Sequence, residues 1–98
     1  MNIEIKKNAA QTIIELTGRL DTTTAPELDK VIQEDIQGTE ELILDLKGIE
    51  YISSAGLRIL LGAQKKMMKI GSMKLIHVSD EVMEIFEITG FSDILAIE

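Results

Sequence analysis

The spacing of apolar residues along the chain predicts an N-terminal hairpin followed by a helix. Ile3 and Ile5 alternate with polar residues, which is the period of a strand with one face in water. A turn at residues 8–11 leads into a second apolar run at residues 12–16, so these two strands are expected to pair antiparallel. Apolar residues then recur at helical spacing over residues 28–36.

The first helix carries a start signal in its sequence. Thr24 and Glu27 have the spacing of a capping box, in which the threonine side chain caps the helix and the glutamate reaches back to the threonine N–H. Pro26 suits the first helical turn, where its missing donor costs little. Gly38 is the expected terminator of this helix.

The second half of the chain repeats the alternation of strand and helix. The nearly continuous apolar run at residues 42–46 predicts a strand covered on both faces. An amphipathic helix is predicted from Ser54 to Ile70, and Gly71 closes it. The pattern ends with a fourth strand at residues 73–78, a short third helix capped by Ser79 or Asp80, and a candidate fifth edge strand at residues 94–97.

Helices alternate with strands after the hairpin, so a mainly parallel sheet joined by right-handed crossovers is expected. No internal repeat, linker or low-complexity tract divides the 98 residues. The sequence therefore predicts one α/β domain over residues 1–98, with a mixed, mainly parallel sheet of four or five strands, an N-terminal antiparallel hairpin and about three helices.

Composition and charge narrow the class of function. The chain has no cysteine, which excludes disulfides and thiolate metal sites. A nucleic-acid partner calls for a basic footprint or for base-stacking rings, whereas this chain has a net charge of −7 and only one Tyr and two Phe. No apolar run approaches the roughly 20 residues of a membrane span, so we expect no membrane insertion and a cytoplasmic location.

Two hydroxyl-rich loops are predicted at the carboxyl ends of parallel strands, where ligands of open α/β sheets tend to bind. The loop at residues 18–24 contains Asp21, and the loop at residues 48–56 contains Ser53 and Ser54. A helix start combines a hydroxyl with unpaired N–H groups and the positive end of the helix dipole, which together tolerate a phosphate. The plainer interpretation is that these hydroxyls only cap helices, since Ser and Thr are preferred N-caps.

Catalysis by the chain itself is not expected. A serine nucleophile needs an adjacent base, and the one histidine, His77, falls within the fourth predicted strand. Neither Ser53 nor Ser54 is followed by a lysine three positions on, and the Gly-x-Ser-x-Gly and phosphate-loop patterns are absent. The carboxylates show no spacing that is typical of metal ligands.

The stretch from Asp45 to Leu57 resembles the STAS domain family, in particular the bacterial anti-sigma factor antagonists. A strand ending in Asp45-Leu46, an aromatic residue at Tyr51 and the run Ser53-Ser54-Ala55-Gly56-Leu57 at a helix start match the characteristic stretch of that family. Gly18-Arg19-Leu20-Asp21 with the threonines that follow, and the last helix with its Gly90-Phe91 exit, are similar too. The resemblance covers almost the whole chain and implies a STAS-like single domain.

The resemblance implies a phosphorylation switch. Ser54 matches the serine that a partner anti-sigma factor, itself a serine kinase, phosphorylates with its own ATP and Mg²⁺, so the chain needs no cofactor. A serine phosphatase is the implied partner for the reverse step. Ser53 stands where many members of the family have Asp, and it is the less favoured acceptor. The residues implied in partner binding are Asp21, Thr22, Thr23, Ser53, Ser54, Ala55, Gly56 and Arg58.

The implied mechanism is competitive binding. The unphosphorylated chain binds the anti-sigma factor and releases a sigma factor, and phosphorylation ends this binding. Two other functions stay open at this point. A STAS subunit could dock permanently on the ATPase of a lipid-transport ABC complex, and a small hydrolase could use Ser54 as its nucleophile.

Overall fold

The computed structural model describes all residues from Met1 to Glu98, and their strands form one mixed sheet. The elements in chain order are β1 (Asn2–Asn8), β2 (Gln11–Leu20), α1 (Ala25–Asp35), β3 (Glu41–Ile52), α2 (Ser54–Ile70), β4 (Ser72–Ile76), α3 (Asp80–Thr89) and a short 3₁₀ turn (Phe91–Asp93). The strand order is β1-β2-β3-β4, with β1 antiparallel to β2 and the other two pairings parallel. The predicted α/β class, hairpin and three helices are confirmed.

One face of the sheet packs under the helices, which explains the period-two alternation in the strands. The strand residues of this face include Ile14, Leu16, Leu44 and Leu75, each at most 1% exposed. They belong to one apolar cluster of 21 buried residues, to which the helices contribute Leu28, Ile32, Leu60, Met67, Val82 and Phe86. Burying such a side chain contributes roughly 1.5–3 kcal/mol, so this layer holds the helices against the sheet. None of the helices combines the length and the apolar character that a membrane crossing needs.

The strand β3 continues to Ile52, where a loop beginning at Gly48 was expected. Its ladder with β2 shifts register at two points and resumes after each of them. Ile49 and Ile52 are buried at 0% and 2% exposure, so the extension is anchored in the core. Because a bulge absorbs extra residues without ending a strand, the predicted loop over residues 48–56 is wrong. Only Ser53 separates β3 from α2.

The candidate fifth strand is reduced to a single bridge. Leu75 of β4 pairs in parallel with Ile97. The N–H of Leu75 donates to the carbonyl of Ala96 at 2.8 Å, and the N–H of Glu98 donates to the carbonyl of Leu75 at 2.9 Å. The sheet therefore keeps four strands, with the end of the chain lying along β4.

Candidate functional site

The strands β2 and β3 end side by side and bring the two hydroxyl-rich segments together. Leu20, the last residue of β2, pairs with Ile52, the last residue of β3. The N–H of Ser53 donates to the carbonyl of Leu20 at 2.9 Å. Residues 19–24 and 51–58 therefore share one end of the sheet, which we call the serine edge.

Ser53 caps α2. Its backbone is extended, with φ −88° and ψ 175°, and its Oγ accepts the N–H of Gly56 at 3.4 Å. Its carbonyl accepts the N–H of Leu57 at 2.9 Å. The hydroxyl of this half-buried residue is therefore engaged in capping α2.

Ser54 is the first residue of α2 and has no such role. It is exposed, and its hydroxyl makes no hydrogen bond within the protein. Arg58 lies one turn further along the same side of the helix, exposed and without an ion pair. A negative group on Ser54 would face the free N–H groups of the first turn, the positive end of the helix dipole and this guanidinium.

All eight residues that the resemblance assigns to partner binding lie at the serine edge, but their exposure differs. The exposed ones are Thr22, Thr23, Ser54 and Arg58, the partly buried ones are Asp21, Ser53 and Ala55, and Gly56 is buried. Four side chains are therefore freely accessible to another protein. Gly56 acts through packing inside the domain.

Replacing each serine by alanine is expected to separate their roles. Ser53→Ala removes the cap and should lower the free energy of unfolding by about 1 kcal/mol. Ser54→Ala removes an exposed hydroxyl without a bond and should change that free energy by less than about 0.5 kcal/mol. Urea unfolding of both variants beside the parent protein measures the difference. Equal losses in the two variants would contradict this division of roles.

Asp21 organises the turn before α1. Its Oδ1 accepts the N–H groups of Thr23 and Thr24 at 3.0 and 3.1 Å. The Thr24 hydroxyl donates to the carbonyl of Arg19 at 2.7 Å and accepts the N–H of Asp21 at 2.9 Å. The predicted capping box with Glu27 is wrong, because the Thr24 backbone is already helical at φ −96° and ψ −21° and its side chain caps no helical N–H. The turn is held by the aspartate, as in other Asx turns.

These hydrogen bonds change the titration of Asp21. The N–H of Thr24, followed by the N–H of Thr23, the Thr24 hydroxyl and the charge of Arg19, lowers the pKa of Asp21 below its usual value of 3.8. Hydrogen bonds to the ionised form favour that form. Because the native pKa lies below the unfolded one, the carboxylate stabilises the fold above pH 3.8, and this contribution is lost as the pH falls through the native pKa.

Asp21→Asn is therefore expected to flatten the acid branch of the stability profile. The amide oxygen can still accept both N–H bonds, so the variant should fold at neutral pH, but it does not titrate. Its free energy of unfolding should fall less steeply than that of the parent as the pH drops below 3.8. Urea unfolding across this range measures the slopes, with exposed, unbonded Glu50 changed to Gln as the control. Equal slopes for Asp21→Asn and the parent would contradict the expectation.

The serine edge also holds a stacked pair that the sequence pattern did not single out. Arg19 and Tyr51 are partners in the β2–β3 ladder, and Cζ of Arg19 lies 4.6 Å from the centroid of the Tyr51 ring. Nε of Arg19 lies 3.7 Å from Oδ2 of Asp21. Register shifts in the ladder bring these residues opposite each other, so spacing along the chain could not show the pairing.

A separate cavity of about 500 Å³ opens beside the β1–β2–β3 ladder. It is lined by Asn2, Glu4, Glu15, Leu16, Thr17, Asp45, Lys47 and Gly48, none of which belongs to the serine edge. Glu4, Glu15 and Asp45 form one cross-strand row. No group of three or more His, Cys, Asp or Glu residues is arranged to hold a metal ion.

His77 is not placed as a base for either serine. It directly follows β4, at φ +56°, so the expectation that it lies within the fourth strand is wrong. Its Nδ1 lies 3.0 Å from Oδ1 of Asp45, an oxygen that also accepts the N–H of Lys47 at 3.0 Å. This pair lies against the cavity lining, and the Ser54 hydroxyl takes no part in it.

The chain is similar to known proteins in sequence and in fold. A sequence model of the STAS domain matches residues 1–98. The anti-sigma-B factor antagonist of Bacillus subtilis is 33% identical over 99% of this chain and 90% of that protein. The crystal structure of an anti-sigma factor antagonist from Mycobacterium paratuberculosis matches with a TM-score of 0.88 at 21% identity, over 98% of this chain and 83% of that one. SpoIIAA of Bacillus in its phosphorylated form matches with a TM-score of 0.77 at 17% identity, over 99% of this chain and 91% of that one.

Proposed function

Because the chain belongs to the STAS domain family, we propose that it is an anti-sigma factor antagonist that phosphorylation of Ser54 switches off. Unphosphorylated, it binds an anti-sigma factor that is also a serine kinase, and the sigma factor held by that protein is released. The kinase brings ATP and Mg²⁺, and a serine phosphatase restores the active form. The chain itself acts in the cytoplasm as a binding protein, without a cofactor or a catalytic step of its own.

The observation that carries the proposal is the exposed, unbonded hydroxyl of Ser54 at the first position of α2. A kinase needs an acceptor hydroxyl that can enter its active site while the substrate stays folded. The Ser53 hydroxyl is less suited, because it caps the helix. SpoIIAA has the same fold and is known in a phosphorylated form, which supports the expectation that this fold accommodates a phosphate.

The charge of a phosphate on Ser54 is expected to weaken partner binding without destabilising the fold. A phosphate on Ser54 adds about −1.5 to −2 charges at neutral pH. Within the protein, the start of a helix stabilises a negative charge by about 0.3–1 kcal/mol. At an interface, a buried charge without a partner costs about 2–5 kcal/mol, which is roughly 30- to 4,000-fold in affinity. The complex is therefore expected to dissociate while the domain stays folded.

Reconstitution with a cognate anti-sigma factor and its labelled sigma factor tests the proposal. Fluorescence anisotropy should show that the unphosphorylated chain and its Ser54→Ala variant both displace the sigma factor. After incubation with ATP and Mg²⁺, the parent should lose this ability and Ser54→Ala should keep it.

Failure of both proteins to displace the sigma factor would overturn the proposal. A stable complex with an ABC-transporter ATPase that tolerates Ser54→Asp would favour the docking-subunit alternative. Labelling of Ser54 by a serine-reactive probe would favour the hydrolase.

A further inference from the structure

Arg19 and Tyr51 form a stacked pair that is exposed at the serine edge. The side chain of Arg19 is 66% exposed, and Tyr51 is 40% exposed. The guanidinium lies over the ring at 4.6 Å, and its Nε faces Asp21 at 3.7 Å. The two terminal nitrogens of Arg19 make no hydrogen bond within the protein. Attraction to the ring and to the nearby carboxylate favours this position of the guanidinium, while its terminal donors stay free.

The pair is close enough to Ser54 to fall inside the same interface. Tyr51 precedes Ser54 by three residues, so their Cα atoms lie no more than about 11 Å apart. A standard interface buries about 800 Å² on each partner, which corresponds to a patch of about 16 Å radius. An interface of that size centred on Ser54 would therefore reach Arg19 and Tyr51, which are exposed at the same end of the sheet.

Once covered, the guanidinium needs acceptors in place of water. Asp21 does not supply them, because its Oδ1 holds the turn and its Oδ2 lies beyond normal hydrogen-bond distance from Nε. A carboxylate matches the arginine fork with two parallel hydrogen bonds, and Arg and Tyr are enriched among the residues that dominate binding energy.

We propose that Arg19, stacked on Tyr51, is a second anchor for the partner at the serine edge, in addition to Ser54. The anti-sigma factor places a carboxylate against Arg19. This inference rests on the proposed function and names the chemistry of the partner at that site. It makes Arg19 a residue that selects among anti-sigma factors, since a partner with a basic group at this point would be rejected.

Arg19→Glu tests the anchor by reversing its charge. We expect the affinity of the unphosphorylated chain for the anti-sigma factor kinase, measured by calorimetry, to fall by about 100-fold. Arg19→Lys keeps the charge but loses the fork, and a fall of about tenfold is expected. The matched control is Lys66→Glu, since Lys66 is exposed, makes no ion pair and lies about 18 Å along α2 from Ser54. This control should change the affinity by less than about threefold.

A charge swap identifies the opposing group. Lysine substitutions of single exposed carboxylates on the kinase should include one that restores binding to Arg19→Glu and weakens binding to the parent. If no substitution restores binding, the assignment of a carboxylate is overturned. If the parent binds and Arg19→Glu binds within about threefold of it, the anchor is overturned and the proposed function stands. If the parent does not bind the kinase at all, both the anchor and the proposed function are overturned.

Discussion

Ser54→Asp is expected to lower the affinity for the anti-sigma factor by about 30-fold or more and to leave the fold intact. The variant carries a permanent negative charge at the position that would enter the active site of the partner. A charge buried there without a partner costs about 2–5 kcal/mol, and about 1.4 kcal/mol is a factor of ten in affinity. Inside the domain, the same charge lies at the start of α2 with Arg58 one turn away, which adds about 0.3–1 kcal/mol to stability.

Calorimetric titration and urea unfolding of the same preparation measure the two effects together. Ser72→Asp is the matched control, because Ser72 is an exposed serine at the start of β4, at the opposite end of the sheet from the serine edge. The control should bind within about threefold of the parent. A Ser54→Asp variant that binds like the parent would contradict the switch, and one that loses stability would assign the loss of binding to misfolding.

Gly56→Ala is expected to destabilise the protein by about 1–3 kcal/mol, although alanine is the better helix former. Gly56 packs the first turn of α2 onto the end of β2. A Cβ at this position would lie 2.7 Å from Cγ and 2.9 Å from the carbonyl oxygen of Leu20. The same carbonyl accepts the N–H of Ser53, so relief of the overlap would shift the start of α2 and disturb the serine edge. Weaker binding of the anti-sigma factor should accompany the lower stability.

Gly62→Ala is the control within the same helix. A Cβ on exposed Gly62 would meet nothing within 4 Å, so this change should stabilise the protein by about 0.5–1 kcal/mol. A change of 1 kcal/mol shifts the melting temperature of a domain of this size by about 4–8 °C. Calorimetry should therefore show a lower melting temperature than the parent for Gly56→Ala and a higher one for Gly62→Ala. A Gly56→Ala variant that melts at or above the parent would show that the close approach to Leu20 is not required.

The strongly periodic parts of the fold were predictable from the sequence because local pattern and packing agree there. The helix from Ser54 to Ile70 has the predicted bounds, and Gly71 is its C-cap. Ser79 caps α3 through the N–H of Val82, as one of the two predicted caps. The N-terminal hairpin follows from the alternation around its turn at residues 8–11.

The wrong predictions lie where strand pairing or hydrogen bonds in the folded chain override the signal from residue spacing. Gly48 looks like the end of a strand, but pairing with β2 carries the chain past it to Ile52. Thr24 has the spacing of a capping box, but its hydroxyl donates to the carbonyl of Arg19 near the end of β2, and Asp21 holds the turn between them. The apolar run near Ile97 looks like a strand, but it forms a single bridge.

The residues of the candidate site were predictable from the sequence, but the differences between their roles appear only in the structure. Ser53 and Ser54 are chemically identical neighbours, and only the start of α2 makes one a cap and leaves the other free. The Arg19–Tyr51 pair had no sequence signal, because the bulges that align the two residues are a property of the paired strands.

The most direct measurement is the position of the phosphate after incubation with the anti-sigma factor kinase, ATP and Mg²⁺. Trypsin cleaves after Lys47 and Arg58 and releases the peptide of residues 48–58, in which tandem mass spectrometry separates Ser53 from Ser54. We predict one phosphate per chain on Ser54, none on Ser53, and none on the Ser54→Ala variant. A phosphate on Ser53, or no phosphate from a kinase that is active on its own substrate, would contradict the central role of the Ser54 hydroxyl.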